Sequence, residues 1–232
     1  MRSVRPSGER GHTQTPWLDS HHSFSFADYV DPMHMGYSVL RVINEDHVAP
    51  GAGFPTHGHR DMEIISYVLE GELEHRDSLG NGSVIRAGEV QRMSAGTGIR
   101  HSEFNASAGQ PLTFLQIWIL PERTGITPGY EQRAIFADGE RDELRLAVSP
   151  DGREDSLMIH QDVFLYIGTL SRGTVATRSL DPGRRAYLHL ARGEAKVNGQ
   201  RLCSGDGMTL EGEPAVVVDT VWDSEVLLFD LP

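Results

Sequence analysis

Four residues in the first half of the chain have the types and spacing of a metal centre. His57 and His59 stand two apart in "THGHRDMEIISYVLEG" (56–71), and His101 and Glu103 stand two apart in "GTGIRHSEFN" (96–105). Side chains alternate across a strand, so each pair shares one face if its segment is extended. If the two segments are neighbouring strands, three imidazoles and one carboxylate converge. That donor set suits one divalent first-row ion: iron, nickel, copper, manganese or zinc. Four protein ligands on an octahedral ion leave two positions open, which is what a catalytic metal needs to take up substrate and dioxygen. Cys203 is the single cysteine, which rules out an internal disulfide and a thiolate-rich zinc cage. Of the 11 histidines only His160 and His189 lie beyond residue 101, so the imidazole chemistry belongs to the first half.

The elements that must hold these residues are strands. Helical periodicity is scarce. Short apolar or alternating runs recur instead, as in "GYSVLRVI" (36–43), "EIISYVL" (63–69), "LTFLQIWIL" (112–120), "VFLYIGTL" (163–170) and "SEVLLFDL" (224–231). Glycine-rich turns separate them, and "NGS" at 81–83 is a tight-turn signal. This pattern predicts an all-β protein of barrels or sandwiches. The stretch from Tyr67 to Gly96 also aligns with that from Leu188 to Glu213. Each has an apolar strand, a Gly-Glu step (Gly71-Glu72, Gly193-Glu194), an Asn-Gly turn, and a later glycine followed by an acid (Gly88-Glu89, Gly205-Asp206). Two copies of one β module are therefore expected, with domains 1–137 and 138–232 and the boundary in the charged segment "DGERDEL" (138–144).

Composition narrows the function classes. The chain has 232 residues and a formal net charge of −12, which argues against nucleic-acid or anionic-membrane surfaces, since phosphate contacts need clustered Lys and Arg. No apolar run reaches the ~18 residues of a membrane span. The N-terminal segment has no apolar core of the secretory type, so no secretory signal is expected. With a single cysteine, a reducing cytoplasm is the expected location, and a monomer is the expected state.

The stretch "GAGFPTHGHRDMEIISYVLEG" (51–71) resembles the first cupin motif, and "GEVQRMSAGTGIRHSEFN" (88–105) resembles the second. Within the cupins the chain is most similar to pirin and the bacterial pirin-like proteins, on "WLDSHHSFSFADYVDP" (17–32), "MSAGTGIRHSE" (93–103), "LQIWILPE" (115–122) and "GITPGYEQR" (125–133). The likeness covers most of residues 10–135. It implies a bicupin, two β-barrel (jelly-roll) domains packed face to face, with the metal in the N-terminal one. It implies His57, His59, His101 and Glu103 as ligands of one divalent metal: Fe(II) first, with Ni, Cu, Mn, Co or Zn as alternatives. Glu63 sits where many cupins place a glutamate ligand. The pirin pattern instead makes it a near neighbour of the metal. The second half has no His-x-His, and His189 in "PGRRAYLHLARG" (182–193) reads as structural, so the C-terminal barrel is expected to be metal-free.

Met35, Phe54 and Trp118 are candidates to line an aromatic pocket, with core packing as the competing fate. Gln116 interrupts an apolar run, either as a pocket donor or as a core amide. The resemblance implies a dioxygenase that opens the heterocycle of a flavonol such as quercetin with O2, with Glu103 or Glu63 taking the hydroxyl proton. The alternative it implies is a regulatory module that binds a protein partner without turnover. A ligand-sized opening beside the metal site favours the enzyme, and a sealed site favours the module.

Overall fold

Alternating residues and glycine turns fold almost wholly into strands in the computed structural model, which describes residues 1–136 and 141–232. The boundary expected between 137 and 138 lies outside the described residues. The chain forms two compact units. One comprises Gly11–Ala134 with Ile159–Gln161, and the other Met1–Arg10, Ile135–Met158 and Asp162–Pro232. No helix of the described residues is long and apolar enough to cross a membrane.

The first unit has a seven-stranded sheet in the order Gly129–Ala134, Glu89–Ser94, Glu63–Glu70, Leu112–Ile119, Leu40–Val48, Leu18–His22, Gly11–Gln14. Its second sheet has four strands, Gly53–His59, Ile99–Asn105, Glu72–Asp77 and Gly82–Arg86. The other unit repeats the plan. Seven strands run Arg2–Arg5, Gly207–Glu211, Arg185–Arg192, Ser224–Leu231, Phe164–Leu170, Leu144–Ser149, Leu157–Met158. Four more run Val175–Ser179, Ala215–Thr220, Glu194–Val197, Gln200–Cys203. The fold is thus an all-β bicupin, with each jelly roll built as two sheets rather than as one closed barrel. The Arg2–Arg5 strand pairs with Gly207–Glu211, and Val4 packs on the second unit's core, an edge addition that no repeat pattern announces.

The internal repeat has a physical basis at Gly71 and Gly193. Each follows the long central strand of its copy, at φ +83° and +90°. A Cβ would stand 2.5 Å from the Pro111 carbonyl oxygen at Gly71 and 2.2 Å from the Asp223 carbonyl oxygen at Gly193. Only glycine satisfies both the left-handed turn and the close approach.

The interiors differ where the copies correspond. In the second unit, Ala176, Val216 and Val218 join an apolar cluster with Leu188, Leu190, Leu202 and Met208. Each such buried aliphatic side chain larger than alanine stabilises by about 1.5–3 kcal/mol relative to exposure. In the first unit the corresponding pair of strands, Gly53–His59 and Ile99–Asn105, carries His57, His59, His101 and Glu103 instead. Polar groups replacing hydrophobic packing in one copy point to a functional site there.

Candidate metal centre and its cavity

The Gly53–His59 and Ile99–Asn105 strands pair antiparallel, with His57 opposite His101 and His59 opposite Ile99. The register slips between His101 and Glu103, so that Glu103 faces Phe54. One residue then opposes two, Pro55 and Thr56. Proline is tolerated at such a bulge because it has no N–H to give the ladder. Gly53 allows the closest approach of the two strands, since a Cβ there would lie 2.2 Å from the Glu103 carbonyl oxygen.

The three imidazoles gather, with ring centroids 4.5 Å (His57–His101), 4.8 Å (His57–His59) and 4.9 Å (His59–His101) apart. His57 Nδ1 lies 2.9 Å from the Pro55 carbonyl oxygen, which can only accept, so Nδ1 carries the proton and the Nε2 lone pair is free. That Nε2 stands 3.0 Å from His101 Nε2. Two adjacent ligand nitrogens, each ~2.1 Å from an ion and at right angles, are separated by about 3.0 Å. Burial, reinforced by the neighbouring imidazoles, lowers His101 to about 2 and His59 to about 4. Both are neutral at physiological pH, the form that ligates metal. His101 Nδ1 is buried without a partner among the described residues. The donor set and its spacing fit a divalent ion.

Glu103 is fully buried on the same strand face as His101. Its Oε1 accepts from Ser66 Oγ (3.1 Å) and Gln91 Nε2 (3.4 Å), and its Oε2 from Gln116 Nε2 (3.0 Å). Burial pushes its carboxyl up to about 7. The ligand atoms fall into two overlapping groups, each within 4.8 Å: His57, His59 and His101, and then His75, His101 and Glu103. His101 is the hinge between the imidazole triad and the carboxylate. Gln116 combines its two candidate roles, since it orients Glu103 and also lines the cavity described below.

Glu63 is fully buried too, but it is engaged elsewhere. Its Oε2 accepts from Ser94 Oγ (2.9 Å) and the His160 backbone N–H (3.3 Å), and His160 Nδ1 lies 3.5 Å away. It belongs to neither ligand group and does not line the cavity. Its carboxylate is therefore held by Ser94 and His160 and not by the residues that hold Glu103. The strand alternation explains this, because Glu63 pairs with Ser94 and Ile119 on the large sheet. His189 is fully buried in the second unit and is part of no metal-type group among the described residues.

A cavity of about 430 Å³ ends on His57 and His59, within the range of small-molecule sites. Leu18, Phe26, Ala27, Phe54, Pro55 and Trp118 supply its apolar walls, and Ser20, Asn44, Asp46 and Gln116 its polar patch. Trp118 meets the His59 ring edge-on at 5.0 Å. Phe54 and Trp118 both line this cavity. Met35 is not among its lining residues: it is 46 % exposed and borders a separate hollow with Tyr29, Val30 and Met62, which shares Phe26, Ala27 and Trp118 with the cavity.

Four functional residues escaped the sequence reading. Ser66 and Gln91 hold Glu103, and His75 stands beside it with Nε2 3.1 Å from Asp77. Asp46 is 2 % exposed, and burial pushes its carboxyl up to about 7. Its Oδ1 accepts from Ser20 Oγ, while Oδ2 has no hydrogen-bond partner among the described residues and the side chain lines the cavity. An acid at a buried position of an otherwise alternating strand, "LRVINEDHV" (40–48), was its available signal.

Comparison with known proteins gives a consistent picture. The pirin family model matches residues 3–119, and a model described as the quercetinase C-terminal cupin domain matches residues 146–231. A quercetin 2,3-dioxygenase of Escherichia coli (strain K12) is 49 % identical over 232 residues, covering 100 % of this chain and 99 % of that protein. A pirin-like protein of Caulobacter vibrioides is 40 % identical over 232 residues, 99 % of each. The crystal structure of the bacterial pirin YhhW from Escherichia coli in complex with nickel(II) superposes with a TM-score of 0.94 at 49 % identity, covering 100 % of this chain and 99 % of that one.

Proposed function

This chain belongs to the pirin family, and from that premise we propose that it is a metal-dependent dioxygenase that opens the heterocycle of a flavonol such as quercetin with O2 and releases carbon monoxide. One observation carries this reading. An apolar, ligand-sized cavity runs onto His57 and His59, so the site is not sealed. A divalent metal held by His57, His59, His101 and Glu103 supplies a Lewis acid that acidifies the substrate hydroxyl and a centre for dioxygen chemistry.

The chain's own residues do the rest. Phe26, Phe54 and Trp118 pack against the planar rings and exclude water. Glu103 takes the 3-hydroxyl proton, and Ser66, Gln91 and Gln116 fix the carboxylate's orientation while it does so. Asp46, with its unpartnered Oδ2, accepts a hydrogen bond from a peripheral phenol.

The test is anaerobic binding of quercetin followed by admission of O2, with carbon monoxide and the ring-opened product as readouts. It is run separately with iron, nickel, copper, manganese, cobalt and zinc, because imidazole and carboxylate donors do not choose among them. Absence of turnover with every metal overturns the proposal and favours a regulatory module. The Asp46 role has its own check. Asp46→Asn should raise KM about tenfold with little change in kcat, since a hydrogen bond to a charged group contributes about 1.5–3 kcal/mol. An unchanged KM removes Asp46 from substrate recognition.

A further inference from the structure

The histidines outside the cavity are not scattered. His12 on the Gly11–Gln14 strand lies directly opposite His21 on the Leu18–His22 strand. Their rings stack at 4.6 Å with 21° between planes. Asp19 joins them from two residues along, its Oδ1 2.7 Å from His12 Nε2 and 3.6 Å from His21 Nδ1. One ligand atom from each of the three lies within 4.8 Å of the others. On the next strand His47 stands opposite Asp19 and Glu45 opposite His21.

Strand alternation separates this group from the pocket. Thr13, Ser20 and His22 line the cavity, so their neighbours His12, Asp19 and His21 face outward. Their side chains are 47, 39 and 31 % exposed. A simple surface ion pair explains the group poorly. An exposed pair of this kind contributes about 0–1 kcal/mol, and like charges directly opposite on a sheet are unfavourable whenever both imidazoles are protonated. A shared cation removes that repulsion and uses all three donors.

We propose that His12, Asp19 and His21 form a second, solvent-exposed site for one divalent transition metal. The two imidazoles and one carboxylate suit Zn(II), Ni(II) or Cu(II), which bind N/O sites more tightly than Fe(II) or Mn(II). The site is independent of the proposed dioxygenase chemistry and stands or falls without it.

The test uses tag-free full-length protein with the inner centre already loaded. Ni(II) is added at pH 7.5, and bound metal is counted by equilibrium dialysis and elemental analysis. Wild type should take up one further equivalent, and His12→Ala/His21→Ala none. His57→Ala/His59→Ala should still bind one. Asp19→Asn, the milder change, should weaken the outer site by roughly 10-fold or more, since even an outer-sphere partner is worth 10–100-fold. With Cu(II), amide signals of residues 12, 19 and 21 should broaden first among those outside the inner centre. No further equivalent in wild type, or uptake unchanged in both His12→Ala/His21→Ala and Asp19→Asn, overturns the site.

Discussion

Replacing His57 and His59 together with alanine should empty the inner centre. After dialysis against a weak chelator that strips exposed metal, wild type should retain about one ion per chain, and the double variant close to none. The two imidazoles stand on one strand, line one cavity and have ring centroids within 5 Å of that of His101, so their removal takes away two of the three imidazoles of the ligand set. The loss of affinity must exceed the roughly 10–100-fold that outer-sphere partners command. Turnover should vanish with the metal.

Stability offers a second readout. A ligand that binds only the native state at 100–1,000 times its Kd adds about 2.7–4.1 kcal/mol. Adding a strong chelator should therefore lower the melting temperature of wild type and leave that of the double variant unchanged. His57 and His59 are partly exposed, and neither belongs to an apolar core cluster, so the variant keeps its packing. A folded double variant that holds its ion through dialysis defeats the ligand assignment.

How far the sequence disclosed this site depends on which interactions are local. The His57/His59 and His101/Glu103 pairs were legible because a strand's two-residue period is intrinsic to the backbone. Their pairing across the sheet needed only that the two segments be neighbours. The doubled module was legible too, because Gly71 and Gly193 each mark a turn that no other residue can make. Ser66, Gln91 and Gln116, in contrast, reach Glu103 from three strands of the other sheet, a convergence that no spacing encodes. Asp46 was hidden for the same reason: "NEDHV" contains two acids, and only the face of the strand decides that Glu45 meets His47 while Asp46 enters the cavity. Glu63 misled in the other direction. Its motif position suggests the metal, yet its neighbours Ser94 and His160 draw the carboxylate away.

Glu103→Gln should separate binding from chemistry. Glutamine keeps the side chain's length and shape, and the Gln116 amide can turn over to present its oxygen where it now donates, so the buried network survives. Three imidazoles still hold the metal, and elemental analysis should find it present. What is lost is the base. Turnover should fall by roughly 10²–10⁴, and the fall should be in kcat, because ring recognition rests with Phe54 and Trp118, which are untouched. A metal-loaded Glu103→Gln protein with wild-type kcat takes the proton-acceptor role away from Glu103. The role then passes to Asp46 if Glu103→Gln/Asp46→Asn is inactive, since Asp46 is a carboxylate that lines the cavity. Glu63→Gln supplies the contrast. Its carboxylate is committed to Ser94 and His160, so the substitution should lower the melting temperature and spare kcat. A Glu63→Gln protein with normal metal content and melting temperature but a kcat as low as that of Glu103→Gln would make Glu63 the base and refute the assignment to Glu103.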